Sequence, residues 1–276
     1  MTSSTEHFQV SLQTPAGLVT TEVGVPTSHV PITSIVPVMR ALGQQAQELE
    51  EQQVTAAGAS VSCRKGCAAC CRMLVPLSVP EAFALQASIE RLPPDKQAAV
   101  RARLDMAKHR LQEGRLWDSL ESLSESPTPP TDEELEPLNR AYYALRMPCP
   151  FLEQEQCGIY DDRPAACREL LVTSPPEFCN DLTDARVRPL PLSLRISTAL
   201  GLLWAELTGT AACLIPLPVA LDWAHRHQAE RQRTWPGNVL FEKAVDKLWR
   251  YLSHEFGSRQ KQRWGAKSHV SIPRKD

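Results

Sequence analysis

Ser62-Cys63-Arg64-Lys65-Gly66-Cys67-Ala68-Ala69-Cys70-Cys71-Arg72 places four thiols within nine residues. A second group lies far downstream, with Cys149-Pro150-Phe151-Leu152, Cys157-Gly158-Ile159-Tyr160, Arg163-Pro164, Cys167-Arg168 and then Cys179. Eight of the nine cysteines fall in these two groups. Soft thiolates at short spacing select zinc, cuprous copper or iron–sulfur clusters over hard, oxygen-loving ions. The spacing therefore predicts a chain folded around a metal centre, with Cys63, Cys67, Cys70, Cys71, Cys149, Cys157, Cys167 and Cys179 as candidate ligands. Cys213 stands alone among apolar residues in Ala211-Ala212-Cys213-Leu214-Ile215 and reads as core.

On a helix, Cys63, Cys67, Cys70 and Cys71 would share one face, since they are spaced i, i+4, i+7 and i+8. Gly66 interrupts strict helicity, and neighbours Cys70 and Cys71 would point roughly 100° apart at about 3.6 residues per turn. The pair suits two metals, or one metal and an adjacent thiol. The gaps from Cys63 to Cys70 also match the cluster-binding spacing of radical S-adenosylmethionine enzymes. Cys71 is foreign to that pattern, and no strand–helix repeat suggests their barrel. Eight thiols suffice for two four-cysteine zinc sites or for one four-iron cluster with ligands to spare. Either species is anionic, so Arg163, Arg168 and Tyr160 in the second motif are candidates to offset charge or to hydrogen-bond the sulfurs.

Length and composition bound the rest. A chain of 276 residues, 42% of them hydrophobic, buries a real core, so the cysteines are not needed to staple a tiny secreted fold. A net charge of −2 argues against general nucleic-acid binding. The N-terminal stretch lacks the basic start and apolar centre of a signal peptide. With clustered cysteines in odd number, this predicts a reducing, cytoplasmic setting. The apolar stretch Ile196 to Leu221 is interrupted by Glu206, Pro216 and Pro218, so buried helices and no membrane span are expected.

Outward from the cysteines the periodicity is helical, and the expected class is mainly α: a single irregular helical domain around a cysteine-ligated centre. Phe8 to Val25 alternates about Thr14-Pro15-Ala16-Gly17, a short β-hairpin within an N-terminal arm, residues 1–33. The domain proper is expected over 34–257, with its motif core at 62–179. A first helix opens at Ser34 with Met39, Leu42, Ala46 and Leu49 inward. Ser78 with Glu81, and Thr131 with Glu134, form capping boxes for further helices. Between them a helix buries Val100, Leu104, Ala107 and Leu111, and Ser122 to Thr131 reads as a Ser/Pro-rich loop. A short helix follows Arg163-Pro164. Three more span Leu192–Leu207, Val219–Arg233 and Val239–Phe256, the last stopped by Gly257. Residues 258–276, with Arg259, Lys261, Arg263, Trp264 and Lys267, read as a basic, frayed tail. His225 and His227 read as surface residues, and Asp161-Asp162 as the start of a turn or helix.

The combined cysteine signature from Ser62 to Cys179 resembles the YkgJ-like cysteine-cluster family of zinc- or iron-chelating domains. The resemblance implies that Cys63, Cys67, Cys70, Cys71, Cys149, Cys157 and Cys167 are ligands. It also extends to the flagellin lysine methylase FliB, which favours an iron–sulfur cluster as leading cofactor over Zn2+. The expected function is thus metal binding, with redox or methyl-transfer chemistry. A structural zinc scaffold or a metal-delivery protein is the alternative. A metal ion or cluster is the only partner the residues identify.

Overall fold

A computed structural model describes residues 4–181 and 185–260. The chain opens with β1 (Thr5–Thr14) and β2 (Gly17–Pro26), an antiparallel hairpin in register from Thr5–Pro26 to Thr14–Gly17. Its two-residue turn, Pro15-Ala16, falls where the sequence predicts it. Alternation puts Val10, Leu12, Val19 and Val25 on the buried face. β3 (His29–Pro31) and a turn of 3-10 helix lead into α1 (Ile35–Ala56).

Ile35, Val36, Met39, Leu42 and Ala46 form the buried stripe of α1, as a 3.6-residue period requires. Next come β4 (Pro76–Leu77), α2 (Val79–Glu90), α3 (Pro94–Glu113), α4 (Trp117–Ser124) and α5 (Asp132–Ala144). β5 (Leu152–Glu153), β6 (Gln156–Cys157) and α6 (Ala165–Glu169) follow. The chain continues with α7 (Ile196–Thr208), β7 (Ile215–Pro216), α8 (Ala220–Arg226), α9 (Gln228–Arg231), β8 (Thr234–Pro236) and α10 (Gly237–Gln260). The class is mainly α, with the N-terminal hairpin as its longest β element.

The core lies where α1, α2, α7, α8 and α10 pack together, with the hairpin laid across α1 and α10. Phe83 of α2 is fully buried, edge-on to Trp204 at 5.8 Å and tilted against Trp223 at 5.3 Å. Burying a ring of that size contributes about 1.5–3 kcal/mol. Helices α1 and α7 approach closely at Gly43, where a Cβ would stand 2.5 Å from Cγ1 of Ile196. Short pairings tie distant segments, β3 with β8 and β4 with β7, while β5 and β6 form a local hairpin. Among the described residues no helix is long and apolar enough to cross a membrane.

Four sequence expectations need correction. Ser122 to Ser124 belong to α4, a helix of eight residues whose Trp117, Leu120 and Ser124 face inward. So short a helix draws its stability from tertiary packing and leaves little periodicity to read. The expected helix Val219–Arg233 breaks at His227, whose ring stacks on Trp223 at 4.0 Å and is half-buried rather than on the surface. Gly257 does not stop the last helix, which runs to Gln260. A lone glycine costs a helix only about 1 kcal/mol and ends it only where the chain turns away. Residues 258–260 are therefore helix rather than tail, and Lys261, Trp264 and the other residues of 261–276 lie outside the described residues. Finally, Leu135, Leu138 and Leu145 of the α5 region are half-buried, while Tyr142 and its unforeseen neighbour Tyr143 are buried.

Candidate metal centre

The first cysteine group is a run of tight turns rather than a helix. Cys67 N–H donates to Arg64 O (2.9 Å), Cys71 N–H to Ala68 O (3.0 Å) and Met73 N–H to Cys70 O (3.0 Å). Gly66 makes this possible, because its φ of +90° is a conformation side chains rarely adopt. A shared helical face for the four thiols is thus not what gathers them. Each turn re-aims the chain, and both ends are fastened to the second group. Ser62 N–H donates to Val172 O (2.9 Å), Val172 N–H to Cys63 Sγ (3.4 Å) and Cys149 N–H to Cys71 O (2.7 Å).

The second group is built in the same economical way. Leu152 N–H donates to Cys149 O, and Gly158 N–H to Phe151 O, each at 2.8 Å. Between them β5 and β6 form a minimal hairpin with Cys157 opposite Leu152. Its turn residues, Gln154 and Glu155, hold φ values of +50° and +59°, the left-handed geometry of a two-residue hairpin. Glu155 is held there by both guanidinium nitrogens of Arg72, at 2.8 and 3.2 Å. The bond between Arg72 and Glu155 thus joins the two cysteine groups at the surface. Cys167 sits in the middle of α6.

These turns bring the thiols together around Cys70. Cys70 hydrogen-bonds with the Cys71 thiol and lies in electrostatic reach of Cys63, Cys149, Cys157, Cys167 and Cys179. Every pair among Cys70, Cys149, Cys157 and Cys167 is in such reach. So is every pair among Cys63, Cys67 and Cys179. All nine cysteines are free thiols. Burial and crowding oppose ionisation of several of them: the bond with Cys71 and then burial push Cys70 up, burial raises Cys149 to about 12, and burial lifts Cys167 well above an ordinary thiol. Cys63, Cys157 and Cys179 are raised as well, mainly by burial. Crowded sulfurs that resist becoming anions together are the donor set a soft cation suits, since it displaces their protons.

Cationic groups surround the array. The Arg163 guanidinium lies 4.2 Å from the Tyr160 ring centroid and Lys65 Nζ 5.4 Å from it, both within cation–π range. Arg163 is in electrostatic reach of Cys63, Cys70, Cys157 and Cys167, and its buried Nε has no hydrogen-bond partner. Arg168 donates from Nε to Arg163 O (3.2 Å) and from Nη2 to Asp161 O, and is in reach of Cys157. Asp161 and Asp162 are exposed in a 3-10 turn, as the sequence suggests. Cys213 faces Glu125 and the carbonyl of Ala211 and stands apart from the other sulfurs.

Several supporting residues carry no sequence signal. Glu81 is fully buried; one carboxylate oxygen accepts from Ala165 N–H (2.7 Å), the other from Ser78 N (3.3 Å) and Oγ (2.9 Å). The capping box reveals the bonds to Ser78, but not the oxygen that holds the start of α6 and so positions Cys167. Arg103 donates to Pro150 O (2.6 Å) and to Glu153 (2.7 Å), and Arg146 to Asn180 O (2.8 Å) and Tyr143 Oη (2.7 Å). These bonds pin the loops that carry Cys149, Cys157 and Cys179.

Sulfur donors, their mutual approach and the orphaned Arg163 Nε fit a soft metal or cluster. As they stand, no three His, Cys, Asp or Glu side chains among the described residues are drawn in tightly enough to hold a single ion. Residues 62–181 match a protein family, CxxCxxCC, described as "Putative zinc- or iron-chelating domain". The match spans all eight clustered cysteines and leaves Cys213 outside. It supports metal binding, by zinc or iron, for this segment of the chain. No curated protein and no solved structure matches the chain.

Proposed function

We propose that the chain is an iron–sulfur protein whose cluster is ligated by Cys70, Cys149, Cys157 and Cys167. One observation carries this reading: all four thiols are in mutual electrostatic reach, beside a buried and unpartnered Arg163 Nε. A single zinc draws four sulfurs to about 2.3 Å from one point. A four-iron cluster spreads its four cysteines, each on its own iron. Arg163, in reach of Cys70, Cys157 and Cys167 with a buried, unpartnered Nε, suits the second, whose sulfides accept hydrogen bonds.

When bound, such a cluster supplies one-electron redox chemistry or a site for group transfer. The chain's own residues do the rest. Arg163 and Arg168 offset the anionic charge, with the unpartnered Arg163 Nε free to donate to sulfur. Glu81 fixes α6 and with it Cys167, while Arg103 fixes the carbonyl beside Cys149. Nine unpaired thiols fit a reducing compartment such as the cytoplasm. The residues that would recognise a methyl donor are not among those named, so the redox role is the one proposed.

Anaerobically purified chain should be brown, with broad visible absorbance, and should contain iron and acid-labile sulfide. Colourless protein carrying stoichiometric zinc would replace this reading with a structural zinc scaffold.

A further inference from the structure

Two clefts open beside the sulfurs, one on either side of the β5–β6 hairpin. The first, of about 590 Å³, has Cys67 on its wall, with Arg64, Arg72, Arg146, Glu155 and Glu177 around it. The second, of about 660 Å³, has Cys157 on its wall, with Lys96, Arg103 and Glu153 around it. Both volumes suit a small molecule. Their charges are arranged differently.

In the second cleft the cations are already matched. Glu153 lies 2.7 Å from Arg103 and 4.0 Å from Lys96, so one carboxylate serves both. In the first cleft Glu155 is taken up by the two-pronged bond from Arg72. That leaves Arg64 and Arg146 with only Glu177 opposite them, and among the described residues neither forms an ion pair. Arg64 is exposed, and Arg146 donates from Nη1 to two uncharged oxygens, Asn180 O (2.8 Å) and Tyr143 Oη (2.7 Å).

Arg146 is also set in place before any ligand arrives. Its φ is +47°, in the left-handed region, and its guanidinium lies 4.2 Å from the Tyr143 ring centroid. A residue with a side chain keeps that backbone geometry only where its surroundings enforce it, and such positions gather at ligand sites. A guanidinium with its charge unmatched recognises carboxylate and phosphate oxygens through paired N–H donors.

We propose that the cleft at Cys67 is an anion-binding site, where Arg64 and Arg146 hold a small molecule by its carboxylate or phosphate group. Arg72, locked to Glu155, shapes the wall. The site deepens the redox reading and rests on it for its use, since it names the class of molecule brought to the sulfur array. Binding itself needs the arginines and not a particular metal.

The test is calorimetric titration of the full chain, metal-loaded and kept anaerobic, with inorganic phosphate and, separately, with succinate. Saturable binding of at least one anion is expected, weakening as salt is raised. Arg64→Glu should weaken it about tenfold, as expected for loss of a charge-assisted hydrogen bond. Arg64→Lys should keep most of the affinity. Lys96→Glu makes a matching change of charge beside the other cleft and should leave binding unaltered. Preference for phosphate marks a phosphorylated ligand and preference for succinate a carboxylate, and either supports the site. No saturable binding of either anion, or equal weakening by Arg64→Glu and Lys96→Glu, overturns it. A chain that binds anions at Arg64 but contains no iron would instead sink the redox reading and leave this site standing.

Discussion

The helical shell and the cysteine segment are held together by different forces. In the shell, α1, α2, α7, α8 and α10 bury Met39, Phe83, Leu200, Trp223 and Leu248 against one another, and apolar area supplies the stability. In the segment, elements are two to five residues long near the sulfurs, and turns, short hairpins and buried side chains such as Glu81 position them. Loops of this kind do not order themselves by burial alone. The shell supplies a frame, and a bound metal would add cohesion, as binding free energy becomes folding free energy.

The largest effect separating the two regions should come from Phe83→Ala, which empties a fully buried site at the centre of the shell. It should cost about 3–5 kcal/mol, read as a lower unfolding midpoint in urea. Metal per folded chain should stay unchanged, because Phe83 packs on Trp204 and Trp223 within the shell. Parallel loss of metal would mean the regions are one cooperative unit.

Glu81→Gln acts at the joint between them. The amide keeps the shape but places a donor among donors: Ala165 N–H, the Ser78 groups, and the Arg40 guanidinium 3.7 Å away. A loss of about 1–3 kcal/mol is expected. Metal affinity should fall with it, measured by chelator competition, since α6 carries Cys167. Unaltered affinity would show that α6 is positioned by the metal rather than by the shell.

The smallest effect lies wholly in the shell. Lys243 and Lys247 of α10 hold the Glu206 carboxyl of α7 down to about 2. A depressed carboxylate stabilises the fold fully above its ordinary value near 4.5, and that contribution is lost as pH falls toward 2. Glu206 is more than a third exposed, so solvent screening keeps the pair to about 0.2–1 kcal/mol. Glu206→Gln should lower the melting temperature slightly at pH 7. The difference should vanish below pH 2, and at pH 7 the variant's metal content should equal that of the unaltered chain.

The same contrast decides what could be read from the residues alone. Shell helices were legible because one face repeats: Met39, Leu42 and Ala46, or Val100, Leu104, Ala107 and Leu111, are buried as their spacing predicts. Likewise the alternation from Phe8 to Val25 gives the hairpin. The cysteine groups were legible as chemistry but not as geometry. Spacing identifies sulfur ligands, whereas the turn at Gly66 and the left-handed pair Gln154-Glu155 decide where each sulfur points. Contacts such as Glu81 with Ala165, or Arg72 with Glu155, join residues more than eighty apart and leave no local trace.

The most direct measurement is elemental analysis of anaerobically prepared chain beside its Cys70→Ser and Cys213→Ser variants. Cys70 stands at the meeting point of the array, and Cys213 stands apart from it. The account predicts bound iron in the unaltered chain and in Cys213→Ser, with most of it lost from Cys70→Ser. Iron or zinc retained in full by Cys70→Ser, or lost with Cys213→Ser, would contradict a centre built where the two cysteine groups meet.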